Sequence, residues 1–152
     1  MQEANWLPHP GLPAFEYVRP AAPDDVPRLL LEHGGEARLL MGGTDLLVRM
    51  RDGKVCPKVV IDVKHLPGMR EIRYGAGLTI GAAVTMNEVA HHPAVREHYN
   101  ILAQAAASVA SYQLRNRATL GGNLANASPA ADTAPAVLVL EAELVLFRPD
   151  GE

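Results

Sequence analysis

Cysteine is almost missing from this sequence: Cys56 is the only one in 152 residues. A lone thiol forms no internal disulfide and by itself ligates no iron–sulfur cluster and completes no zinc site, so a reduced, cytoplasmic protein is expected. Aromatic residues are scarce, at 5%, which argues against a nucleic-acid surface built on base stacking. Neither sign of charge prevails. Fourteen Lys and Arg against 17 Asp and Glu leave a formal net charge of −3, so no basic field exists to attract a phosphate backbone. The longest apolar runs, such as residues 134–140, are far too short to span a bilayer. No basic stretch followed by an apolar run opens the chain, so no secretory signal is expected. The six histidines include no pair with the spacing of a zinc hydrolase. Gly-x-Gly-x-x-Gly and Gly-x-x-x-x-Gly-Lys-Ser/Thr are both absent, which disfavours a Rossmann site and a Walker-type nucleotidase.

What is present is ordinary globular usage, 48% apolar and 20% charged, in a length suited to one domain or two small lobes. Residues 1–14 are rich in proline and read as an arm carrying Trp6, a plug on its own surface or an anchor to a neighbouring subunit. From there the pattern alternates: a strand at 15–18, and a helix opened by Asp24-Asp25 with Val26, Leu29, Leu30 and His33 on one stripe. A buried strand follows at 37–41, then a helix at 46–51 and a strand at 59–63. That order predicts a small α/β lobe over residues 15–66. After Pro67 the spacing predicts an antiparallel hairpin around residues 74–77 and a capping box at Thr85-x-x-Glu88. It also predicts an alanine-rich helix at 101–111, a helix at 134–141 and a strand at 143–147, the parts of a larger α+β lobe over residues 67–152. Asp150-Gly151 signals a hairpin whose second strand is not in the sequence, so a fragment, or a strand supplied from elsewhere, is expected.

Two segments are poor in side-chain bulk: Met41-Gly42-Gly43-Thr44-Asp45 and Thr119-Leu120-Gly121-Gly122-Asn123. Paired glycines either make a turn or let consecutive amides converge on an anion such as a pyrophosphate. The first pair also sits at a strand-to-helix junction, where the helix dipole adds to that field. Asp132 precedes a helix with Pro135 in its first turn; it is an N-cap, an acceptor for ribose hydroxyls, or both. Arg115 and Arg117 flank the second segment as surface cations or as partners of phosphate.

The run Leu40-Met41-Gly42-Gly43-Thr44-Asp45-Leu46-Leu47, followed by Arg115-Asn116-Arg117-Ala118-Thr119-Leu120-Gly121-Gly122-Asn123-Leu124-Ala125-Asn126-Ala127-Ser128-Pro129-Ala130-Ala131-Asp132, resembles the flavin domain of molybdenum hydroxylases. This is the medium, FAD-binding subunit of the carbon monoxide dehydrogenase and xanthine dehydrogenase family. The resemblance implies a PCMH-type FAD-binding fold of the α+β class: a small α/β lobe, then a larger α+β lobe with a mainly antiparallel sheet. It implies an FAD diphosphate wrapped by Met41, Gly42, Gly43, Thr44, Asp45 and Leu46. Thr119, Leu120, Gly121, Gly122 and Asn123 would complete the cradle, and Asp132 would hold the ribose. No catalytic side chain and no metal ligand is implied in this chain. It further implies an FAD-dependent oxidoreductase subunit that needs an iron–sulfur small subunit with [2Fe–2S] clusters and a molybdopterin large subunit. Electrons would pass through FAD to a small-molecule acceptor. The family's subunit is about twice as long and has a third lobe that this sequence lacks. The alternative expectation is therefore a remnant or assembly module that docks partners without flavin.

Overall fold

The computed structural model describes residues 11–147; most of the expected arm, Trp6 and the Asp150-Gly151 turn lie outside them. Three parallel strands come first, β1 (Glu16–Val18), β2 (Ala37–Leu40) and β3 (Val59–Asp62), in the order β1-β3-β2. Every residue of β3 is buried, because a central parallel strand has neighbours on both edges and cover on its faces. That is why Val59-Val60-Ile61 reads as an unbroken apolar run. Helix α1 (Asp25–His33) crosses from β1 to β2. Its Val26, Leu29 and Leu30 pack on Ala37, Val59 and Ile61, and it stops where Gly34 turns to φ +52° and closes its amide on Leu30. Helix α2 (Leu46–Arg51) occupies the stretch expected of it.

Asp62 ends β3 at 2% exposure. Its carboxylate accepts from the Lys64 amide at 3.1 Å, from Lys64 Nζ at 2.7 Å and from the Tyr17 hydroxyl. Burial alone would raise its pKa, but the bonds from Lys64 and Tyr17 outweigh that and hold it below the ordinary carboxylate value. A group depressed in the folded state contributes stability that is whole above about pH 4 and disappears as pH falls through the folded pKa. The melting temperature should therefore drop in acid, and Asp62→Asn should melt lower near neutrality but lose less on acidification. An equal acid loss in both proteins would remove Asp62 from this account.

The second half begins with the hairpin β4 (Ile72–Tyr74) and β5 (Leu78–Ile80), antiparallel with Ile72 opposite Ile80. Six short helices follow: α3 (Met86–His91), α4 (Pro93–His98), α5 (Asn100–Ser108), α6 (Tyr112–Arg115), α7 (Leu120–Asn126) and α8 (Thr133–Val139). The Thr85 hydroxyl accepts from the Glu88 amide while the Glu88 carboxylate accepts from the Thr85 amide, the expected capping box. Helix α5 packs on α3, α4 and α8; its Ala103 and Ala106 are buried because small side chains let the neighbouring helices approach. Around it Met86, Val89, Val95 and Leu102 form a second core.

The pairings of this half are antiparallel, as expected, yet they amount to the hairpin and one bridge between Thr85 and Thr119 among the described residues; far more of its residues lie in helices than in strands. The alanine-rich helix stops at Ser108, earlier than its composition suggests, because Val109 is extended and Ala110 takes φ +42°. The strand expected at 143–147 is irregular. Val145 is 98% exposed there, and no described strand pairs with the segment, so its alternation finds no hydrogen-bonded ladder. Among the described residues no helix is long and apolar enough to cross a membrane.

Candidate functional site

A cleft of about 560 Å³ lies between the two cores. Residues 41–46 form one wall, running from the end of β2 into α2. Thr119, Gly121, Gly122 and Asn123, at the start of α7, form the facing wall, and Asp132 stands at its edge. Segments far apart in sequence thus meet. Leu120 is the exception: its side chain is packed into the second core, away from the cleft.

The glycines explain how the walls come so close. A Cβ on Gly42 would stand 2.2 Å from the carbonyl oxygen of Arg117; one on Gly122 would crowd Thr119 Oγ1 at 2.7 Å, while meeting Met41 Cβ at an ordinary 3.6 Å. Gly43 takes φ +77°, a left-handed turn that reverses the chain into α2. Gly121 serves packing, since a Cβ there would fall 2.5 Å from that of Ala82.

The two segments differ in what their backbones offer. The amides of Gly42, Gly43, Thr44, Asp45 and Leu46 donate to no acceptor among the described residues, and α2 has no side-chain cap. Five successive residues lining the cleft therefore carry amides without an acceptor among the described residues. The second segment is not a loop but the first turn of α7, and its amides are spent. Leu120 donates to the Val84 carbonyl and Gly121 to that of Ala82, both at 3.0 Å; Gly122 donates to Thr119 Oγ1 at 3.2 Å and Asn123 to the Thr119 carbonyl at 2.9 Å. The expectation that both glycine pairs converge their amides on one anion is corrected accordingly. The first segment presents donors, and the second presents a bare wall that lets them be approached.

Asp132 stands at the N-cap position of α8 but accepts no bond from that helix; it is exposed, so its carboxylate is open to the cleft. Asn123 Oδ1 accepts from the buried Thr133 hydroxyl at 2.5 Å, which leaves its amide nitrogen available. Arg115 and Arg117 do not line the cleft. Arg115 is a clamp: Nη1 donates to the Val109 and Ala110 carbonyls at 3.0 and 3.1 Å, and Nε to Asn87 Oδ1 at 3.1 Å. It holds the strained turn at Ala110, and Val109 and Ala110 supply apolar lining. The arginines that do line the cleft, Arg38 and Arg49, were not singled out in the sequence. Arg49 had a signal, lying four residues beyond Asp45 on the same helical face.

Residues 13–152 match the family of the FAD binding domain in molybdopterin dehydrogenase. The chain belongs to that family. It is 36% identical over 140 residues to the carbon monoxide dehydrogenase medium chain of Hydrogenophaga pseudoflava, covering 91% of this chain and 49% of that one. It is 37% identical over 134 residues to the nicotinate dehydrogenase FAD-subunit of Eubacterium barkeri, covering 87% and 45%. Among solved structures, the carbon monoxide dehydrogenase of Hydrogenophaga pseudoflava lacking the Mo-pyranopterin moiety superposes with a TM-score of 0.76 at 37% identity, over 80% of this chain and 42% of that one. This FAD-binding-domain chain therefore spans about half the length of the curated relatives it matches.

Proposed function

We propose that this chain is the flavin-holding part of a cytoplasmic molybdenum hydroxylase. FAD would take electrons from the [2Fe–2S] clusters of a small subunit, which receive them from a molybdopterin large subunit, and give them to a small-molecule acceptor. The carrying observation is the run of five amides, residues 42–46, that have no acceptor among the described residues and belong to the lining of a cleft that a Cβ at Gly42 would disrupt. Such a run is a fitting partner for a diphosphate, whose oxygens accept several amide bonds at once. The residues present therefore suit the cofactor.

In this reading the amides of residues 42–46 bind the diphosphate and keep water from it. Thr119 acts through α7, capping the helix that brings Gly121 and Gly122 against the opposite side. Asp132, uncommitted within its helix, accepts from ribose hydroxyls, and the turn at Val109 and Ala110 gives an apolar surface beside them. Bound FAD supplies the redox chemistry, the uptake of electrons from an iron–sulfur donor and their release to an acceptor. This chain's residues orient and shield it.

The test is the visible spectrum and FAD titration of the purified protein. A flavin band, or uptake of added FAD, is expected; a colourless protein that takes up none would leave the assembly-module reading instead. Asp132→Ala should weaken FAD binding by about 1–3 kcal/mol, the scale of a lost carboxylate–hydroxyl bond, with an unchanged melting temperature for the FAD-free protein. Wild-type affinity in that variant would take Asp132 out of the site.

A further inference from the structure

We infer that Arg49 is the cationic partner of the diphosphate, so that one guanidinium, together with the amides, sets this chain's preference for phosphorylated ligands. The inference rests on the FAD reading above. Among the described residues the cleft is lined by two cations, Arg38 and Arg49, and two carboxylates, Asp45 and Asp132. Empty, those charges balance; a diphosphate adds negative charge beside Asp45, immediately against the amide run. Something must offset it.

Among the described residues, one cation of the cleft is uncommitted and placed to do so. Arg38 is committed, with Nη1 donating to the Gly35 carbonyl at 2.8 Å and to the Ala37 carbonyl at 2.6 Å. Of the arginines flanking the second segment, Arg115 is occupied by the Val109–Ala110 turn, and neither it nor Arg117 lines the cleft. Arg49 lines the cleft, is exposed, and its guanidinium makes no hydrogen bond or ion pair among the described residues. Its amide donates to the Asp45 carbonyl at 3.0 Å, so it rises from the same wall as the amide run, one turn further along α2. A guanidinium there has the planar donor fork that matches phosphate oxygens. Solvated when the cleft is empty, it gains a partner when the anion enters.

The experiment compares the intact wild-type protein with Arg49→Gln and Arg49→Lys, measuring dissociation constants for FAD and for ADP at low and high salt. Arg49→Gln should weaken both ligands about tenfold, the scale of one charge-assisted bond, and flatten the salt dependence of binding. Arg49→Lys, which keeps the charge and loses the fork, should recover the salt dependence and part of the affinity. Wild-type affinity and salt response in Arg49→Gln would overturn the inference, as would a loss confined to FAD with ADP unaffected. If the wild-type protein binds neither ligand, the FAD reading itself fails and the inference falls with it. Wild-type binding that ignores Arg49 refutes Arg49 alone. Because the Arg49 guanidinium makes no hydrogen bond or ion pair among the described residues, Arg49→Gln should melt with the wild type; should it not fold, Arg49→Met removes the charge in its place and carries the same comparison.

Discussion

Gly42→Ala should lower FAD affinity by at least about tenfold and cost about 1–3 kcal/mol of folding stability, the range for overpacking a tight contact. The added methyl would stand 2.2 Å from the Arg117 carbonyl oxygen. That atom belongs to the backbone leading into Ala118, whose carbonyl accepts from the Met86 amide at 2.9 Å, so it cannot swing aside as a flexible side chain would. The loop has to move instead, opening the cleft and spreading the amides of residues 42–46. Gly53→Ala separates this effect from general strain. Gly53 has φ +69° with open space around it, so an alanine there should cost about 1–2 kcal/mol and leave FAD affinity unchanged. Flavin titration and thermal melts of both variants decide the matter. Equal affinity in Gly42→Ala and wild type would mean that the close approach of the two segments is not what shapes the site.

Met86→Ala should destabilise the chain by about 2–5 kcal/mol, the range for a buried long side chain cut to a methyl. Met86 has no exposure and sits in the first turn of α3, against the helices of the second core. Its amide bond to Ala118, with the Leu120 amide on Val84, joins the start of α3 to the start of α7. A cavity at Met86 therefore opens in the same core that the Leu120 side chain, at the start of α7, enters. Chemical denaturation gives the stability, and FAD titration well below the melting temperature gives the second readout. Affinity is expected to fall less than in Gly42→Ala, since the amide run itself is untouched. A loss of stability under about 1 kcal/mol would show that the core closes over the gap.

Elements whose causes are local were legible in the chain. Thr85 and Glu88 stand three residues apart, and the capping box needs only that spacing. Helix α2 is bracketed by Asp45 and Asp52-Gly53, and the apolar Val59-Val60-Ile61 could only be a strand with cover on both faces. Glycine pairs at 42–43 and 121–122 marked the places where bulk was missing. Where the expectation failed, the deciding contact came from elsewhere in the sequence. Residues 143–147 alternate as a strand should, but a ladder requires a neighbour, and no described strand supplies one. The alanine run of α5 continues past Ser108, yet the Arg115 clamp holds the chain in a turn at Val109 and Ala110.

The candidate site divides the same way. Sequence alone determined which segments lack side chains, where α2 begins and which carboxylate precedes α8, because each depends on residues within one turn of it. Only the tertiary structure decided that the two glycine pairs do different work. The amides at the start of α7 are consumed by the Val84 and Ala82 carbonyls and by Thr119, while those of residues 42–46 are left open to the cleft. Whether a backbone donor is free depends on which acceptor the fold brings within about 3 Å of it, and that distance is set by packing between segments the chain keeps far apart.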